Sequence, residues 1–212
     1  MKLKIGKINK MKENNTMNLL FPTVILVKDN ILLNQIDSYK ESILNYFKDN
    51  KTQKTFTGSK LENSYYKEND IFKNNIFNNL INEIYLNFNL FCKTLGYSDK
   101  QIARYKIKNI WANLIKKYDY HSVHTHATNG NAIVSGVFYV DAPKNAKIKF
   151  KNPYADYSVF EKPEGDNILN FDYFYYDCVP GRLILFKSNV FHGYDSHLNE
   201  QNKISIAFNF GE

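Results

Sequence analysis

Three of the five histidines in this 212-residue chain fall within six residues, in "HSVHTH": His121, His124 and His126. The other two, His192 and His197, come much later. In an extended strand, side chains at i and i+2 point the same way. If this stretch is extended, His124 and His126 share a face and His121 lies on the other. Two imidazoles so placed can hold a transition metal. A third ligand from elsewhere completes a facial set that leaves positions open for substrate or O₂. The strand-like run "RLILFKS", followed by "NVFHGYDSH", offers His192 just past its end. The plainer alternative is histidines on the surface or hydrogen-bonded in the core.

A second pattern lies in "NKISIAFNF" near the C-terminus. Ile204, Ile206, Phe208 and Phe210 alternate with Lys203, Ser205, Ala207 and Asn209. One face is apolar and packs on a core. The other carries a cation, a hydroxyl and an amide. A cation with a hydroxyl two residues away can hold a carboxylate by charge-assisted hydrogen bonds. The competing interpretation is an ordinary amphipathic strand with its polar side in water.

These residues need elements to position them. From about Tyr105 the chain has period-two runs, including "YKIKNIWANLI", "AIVSGVFYV", "AKIKFKNP" and "RLILFKS", split by Gly, Pro, Asn and Asp. Closely spaced strands with such breaks predict a β-sandwich or jelly roll. The N-terminal half has helical patterning. After a short strand, "TVILV", Leu32, Ile36, Tyr39, Ile43 and Phe47 recur near helical spacing, with Asp29 or Asn30 as N-cap. Residues 51–67 are expected to be polar loop. A second helix presents Phe77, Leu80, Ile81, Ile84, Phe88 and Phe91 on one side and ends at Gly96. Both faces suit packing on a core.

Composition narrows the classes. Hydrophobic residues make up 43% and aromatics 16%, which excludes a disordered chain. The formal net charge is +7, but Lys2, Lys4, Lys7, Lys10 and Lys12 lie near the N-terminus with only Glu13 among them. That run predicts a solvated basic extension over residues 1–16 rather than a nucleic-acid patch. Residues 17–212 are expected to form one domain: mainly helical support over 17–104, then strands over 105–212. Two cysteines, Cys92 and Cys178, give no disulfide framework. With no membrane-spanning run and no signal peptide, the expectation is a cytoplasmic protein without a membrane partner.

The stretch from Trp111 to Asn209 resembles the Fe(II)/2-oxoglutarate-dependent dioxygenase superfamily. It is most similar to a group of such oxygenases in marine bacteria and their phages. The matching pieces are "WANL", "HTH", "SGVFYV", "PGRLILF" with Ser188 and His192, and "KISIAFN". The resemblance implies a mostly β fold, a double-stranded β-helix (jelly roll, cupin-like) with helices packed on one sheet. It also implies Fe(II) as metal, 2-oxoglutarate as cosubstrate, and O₂ with a small-molecule or peptide substrate. Carried over residue by residue, His124 and His192 match the first and distal metal ligands. His126 stands where most of the superfamily has Asp or Glu. Ser205 matches the serine of an R-x-S pair that binds the far carboxylate of 2-oxoglutarate, and Lys203 replaces its arginine. Asn113, on a neighbouring strand, is a candidate cosubstrate contact. Trp111 is expected in the core, and Tyr139 or Ser135 in the pocket wall.

The implied activity is hydroxylation with release of succinate and CO₂. Alternatives are a three-His metal enzyme that does not use 2-oxoglutarate (a cupin-type dioxygenase or Zn hydrolase) and a non-catalytic binding module. If Lys203 faces solvent, Arg182 is the next cation to consider. The polar segments Ala127–Ala132 and Asn152–Asp172 are expected to border the entrance as mobile loops.

Overall fold

From Lys106 onward the period-two runs become eight strands: β5 (Lys106–Ile115), β6 (Tyr120–His124), β7 (Val134–Asp141), β8 (Lys147–Lys151), β9 (Tyr173–Asp177), β10 (Leu183–Lys187), β11 (His192–Tyr194) and β12 (Lys203–Gly211). The computed structural model describes residues 21–50, 55–56, 58–65, 70–127, 132–155, 164–165 and 170–212. The strands pair antiparallel in a nested order: β5 with β12, β6 with β11, β7 with β10, and β8 with β9. Folding a long hairpin over in this way deals alternate strands to two sheets. That is the double-stranded β-helix. Four shorter strands extend the sheets: β1 (Ile25–Lys28), β2 (Thr55–Phe56), β3 (Ser59–Lys60) and β4 (Glu62–Asn63). The larger-residue sheet runs β1-β10-β7-β12-β5-β4, and the opposing sheet β2-β3-β6-β11-β8-β9.

Two helices cover the outer face of the first sheet. α1 (Ile36–Asp49) buries Tyr39, Ile43 and Phe47, and α2 (Asn78–Thr94) buries Leu80, Ile84, Phe88 and Phe91. These meet Phe138, Leu183, Leu185, Ile206, Phe208 and Phe210 in one apolar cluster. Each such side chain taken from water contributes about 1.5–3 kcal/mol. The rings of Phe88 and Phe210 stack at 3.7 Å between centroids. α2 ends as expected at Gly96, whose φ of 89° suits glycine, and the Tyr97 N–H closes the cap on the Cys92 carbonyl at 3.0 Å.

Two local expectations are corrected. Asp29 and Asn30 do not cap α1, whose N-cap is Gln35 without a side-chain bond. The Asp29 carboxylate is engaged by Arg182, at 2.6 Å to Nε and 3.0 Å to Nη2. The stretch 51–67, expected as polar loop, contributes β2, β3 and β4 to the sheet edges. They are two residues each, too short to show periodicity. The segment 1–16 lies outside the described residues, as do most of 127–132 and of 152–172.

Gly136 sits between Phe208 and Leu185 of its two neighbouring strands, on the helix-facing side of the sheet. A Cβ there would lie 2.4 Å from the Phe208 ring and 2.6 Å from Leu185. Gly136→Ala is therefore expected to lower stability by about 1–3 kcal/mol through overpacking, seen as a drop in the urea midpoint. An unchanged midpoint would mean that the Phe208 ring moves aside freely.

Candidate metal centre

The helices settle which way each side of β12 faces. Its apolar residues lie under α1 and α2, so the alternate residues point between the sheets. Lys203, Ser205 and Asn209 are accordingly buried, and Lys203, Ser205 and Ala207 line a cavity between the sheets. The solvated-face interpretation of this strand is excluded.

At that cavity, ring nitrogens of His124, His126 and His192 all lie within 4.8 Å of one another. His124 ends β6, and His192 sits directly opposite it in the antiparallel register of β11. His126 follows just after the strand, with its backbone N–H bonded to the Ser188 carbonyl at 2.9 Å. Each ring is oriented by the nitrogen that faces away from the group. His124 Nδ1 meets the Ser122 carbonyl at 2.9 Å, His192 Nδ1 the Val190 carbonyl at 2.9 Å, and His126 Nδ1 the Asn209 Oδ1 at 2.6 Å. These acceptors carry no proton, so each Nδ1–H donates and each Nε2 is a bare lone pair. His124 Nε2 and His126 Nε2 face each other at 3.1 Å. Two lone pairs at that distance repel unless a cation lies between them. The donor set thus fits a divalent transition metal, with second partners already fixing the rings.

Burial keeps these imidazoles neutral. Desolvation holds His126 down to about 4, His124 below its ordinary value, and His192 well below it. Neutral rings at pH 7 bind metal without first losing a proton.

The cavity wall contains no carboxylate among the described residues: one ammonium, four imidazoles, hydroxyls, an amide and apolar groups line it. Lys203 lies over the Tyr194 ring, 3.7 Å from its centroid, and makes no ion pair among the described residues. Desolvation pulls its ammonium below the ordinary lysine value. Ser205 Oγ accepts from Asn113 Nδ2 at 3.4 Å. Arg182 is unavailable to the cavity, because Asp29 and the Asp177 carbonyl hold it.

Two expectations fail in instructive ways. His121 does not turn away: its ring centroid is 4.0 Å from that of His124, and it lines the cavity. The cause is a β-bulge between β6 and β11, where His192 opposes His124 but Tyr194 opposes His121. Three residues of β6 then match two of β11, which reverses the alternation. Gly193 permits it, since a Cβ there would lie 2.6 Å from the His121 carbonyl. Trp111 is not core; it lines the cavity, stacks on His126 at 5.9 Å and meets Tyr65 edge-on at 5.0 Å. Of the pocket candidates, Tyr139 lines the wall, whereas Ser135 bonds Asn209 beneath His126 at 2.7 Å. Tyr194 went unnoticed in the sequence. Its hydroxyl is buried with no hydrogen-bond partner among the described residues, and the residue lines the cavity. Its only sequence signal is a position two residues beyond His192.

Comparison with known proteins agrees with this architecture. Residues 109–209 match the family profile described as "Putative 2OG-Fe(II) oxygenase". No curated protein matches the chain in sequence. Among solved structures, a Pseudomonas putida prolyl-4-hydroxylase superposes with a TM-score of 0.64 at 10% identity, covering 90% of this chain and 93% of that one. The 2-oxoglutarate-dependent epimerase SnoN of nogalamycin biosynthesis gives 0.62 at 10% identity, covering 90% and 79%. A viral collagen prolyl hydroxylase of Paramecium Bursaria Chlorella virus-1, solved as its 2-oxoglutarate complex, gives 0.54 at 11% identity, covering 88% and 94%. At such identities the superpositions speak for the fold, and the profile match shows the likeness of residues 109–209 to that family. Nested strand pairing around a three-histidine group thus coincides, over residues 109–209, with a match to the 2-oxoglutarate–Fe(II) oxygenase profile.

Proposed function

We propose that the chain hydroxylates a small-molecule or peptide substrate, with Fe(II) held by His124, His126 and His192. 2-Oxoglutarate is bound through Lys203, Ser205 and Asn113. The observation that carries this is one cavity joining three converging Nε2 lone pairs to a buried ammonium that has no ion pair among the described residues. When bound, Fe(II) supplies the oxidative chemistry that consumes O₂ and 2-oxoglutarate, releases succinate and CO₂, and inserts oxygen into a substrate C–H bond.

The protein's part is binding and exclusion. Lys203 gives the distal carboxylate a point charge rather than an arginine fork, and the Ser205 hydroxyl adds a donor. The Tyr194 ring lies against the Lys203 ammonium in the same wall, 3.7 Å from its centroid, and helps to hold the cation in place. Trp111, Ile148 and Phe186 give apolar walls that exclude water from the reacting groups. Three neutral ligands leave a net charge of about +2 on the ion, where a carboxylate would leave about +1. This strengthens the hold on an anionic cosubstrate.

The test is anaerobic Fe(II) loading followed by O₂ and 2-oxoglutarate, with succinate measured with and without candidate small molecules and peptides. Slow uncoupled succinate release, accelerated by a true substrate, is expected. Tight metal binding without succinate in any mixture would instead favour a three-His enzyme independent of 2-oxoglutarate. Absence of metal binding would leave a non-catalytic binding module.

A further inference from the structure

Asn209 is the last inward-facing residue of β12 before its bulge, and it is buried. Its Oδ1 accepts twice, from His126 Nδ1–H at 2.6 Å and from Ser135 Oγ–H at 2.7 Å. Ser135 has a single proton, and that proton is directed to Asn209. Ser188 must therefore donate to Ser135 across their 2.8 Å contact. Both serines are 1% exposed, so water does not compete for this chain. Ser188 also accepts the His126 backbone N–H through its carbonyl. The end of β10, β7 and β12 thus meet in a buried polar network that ends on the ring of His126. Buried networks of this kind are costly unless every member is satisfied.

We propose that Asn209, supported by Ser135 and Ser188, is the positioning residue for His126. It locks the ring in the Nδ1–H form and thereby commits Nε2 to the metal position. The inference rests on the ligand assignment given under Proposed function. His124 and His192 do not need such a device, because each donates to a carbonyl two residues before it in its own chain. His126 lies beyond the end of β6, where no local carbonyl performs that role, so a side chain from another sheet supplies the acceptor. An amide oxygen orients the ring without adding a negative charge. A carboxylate in the same place would make the ring more basic and partly restore the charge that an acidic ligand would bring.

Two readouts on the full-length protein test this. The first needs no metal: long-range ¹⁵N–¹H NMR of the histidine rings distinguishes the Nδ1–H from the Nε2–H tautomer. The wild-type, metal-free protein is expected to show His126 as Nδ1–H. Asn209→Leu is expected to release it towards the Nε2–H form. The second is Co(II) affinity by competition, together with the visible Co(II) spectrum. Asn209→Leu is expected to weaken Co(II) about 10–100-fold, with an altered spectrum, and Asn209→Asp to bind at least as tightly as wild type.

Should Asn209→Leu fail to fold, Asn209→Asp and Ser135→Ala carry the test. The first is expected to keep the Nδ1–H form. The second is expected to weaken Co(II) less than about 10-fold, because it loosens Asn209 without removing the acceptor. A wild-type His126 in the Nε2–H form overturns the inference. So does unchanged Co(II) affinity in Asn209→Leu or, if that variant does not fold, an Asn209→Asp that loses the Nδ1–H form. Co(II) affinity that is also insensitive to His126→Ala refutes the ligand assignment instead, and the tautomer measurement still decides the role of Asn209.

Discussion

His192→Ala is expected to abolish Fe(II) retention and to lower 2-oxoglutarate turnover by at least about 10³-fold, since the ion's contribution of several kcal/mol is lost with its ligand. The residue is buried against Phe186 and directly opposite His124. The variant should stay folded. Removing an imidazole held below its ordinary pKa by burial takes away a polar group rather than a pillar of the core. The matched comparison is His121→Ala. His121 lines the same cavity but lies outside the three-nitrogen group, and its removal is expected to leave Fe(II) affinity unchanged. Metal content after desalting, measured on both variants beside wild type, decides the matter. Equal loss in both would mean that the ligand set has been misassigned.

The second large effect has opposite signs in two measurements. Lys203→Met should weaken 2-oxoglutarate binding by about 10²-fold or more, because the only ammonium in the cavity wall among the described residues is gone. The same change should stabilise the ligand-free protein by on the order of 1 kcal/mol or more. It replaces a buried cation lacking a carboxylate partner among the described residues with an apolar chain of similar length. The pH dependence follows from burial depressing the Lys203 pKa below 10.5. Between the folded value and the unfolded one, the unfolded chain holds more protons, so wild-type stability rises with pH in that window. The advantage of Lys203→Met is therefore greatest at neutral pH and shrinks as pH climbs towards 10.5. Thermal unfolding followed from neutral pH up towards 10.5 reads it directly. A variant less stable than wild type at neutral pH would show that Lys203 has a stabilising partner in the apo protein. The pair of results would place Lys203 among residues kept for function at a cost in stability.

Much of this arrangement was legible in the sequence. The alternation of β12 separated Ile204, Ile206, Phe208 and Phe210 from Lys203, Ser205 and Asn209, because side-chain period is local geometry. The i, i+2 spacing of His124 and His126 and the helical faces of α1 and α2 are equally local. Residues of one element carry their mutual orientation in their spacing.

What tertiary structure alone decided is what each face meets. The polar face of β12 could have looked into water. The helices claim the apolar side and so turn Lys203 and Asn209 inward. His192 joins His124 only through the antiparallel register of β11 on β6, sixty-eight residues apart in sequence. His121 reached the cavity because a bulge reversed the alternation, and a bulge depends on the partner strand's backbone, here made close enough by Gly193. Trp111 became cavity wall rather than core because the inner side of β5 faces the histidines while α1 and α2 take its outer side. The acceptor for His126 comes from a residue eighty-three positions away. Spacing encodes relations within an element. Relations between elements follow from sheet pairing and layer packing, where many residues contribute jointly and no single local pattern records the result.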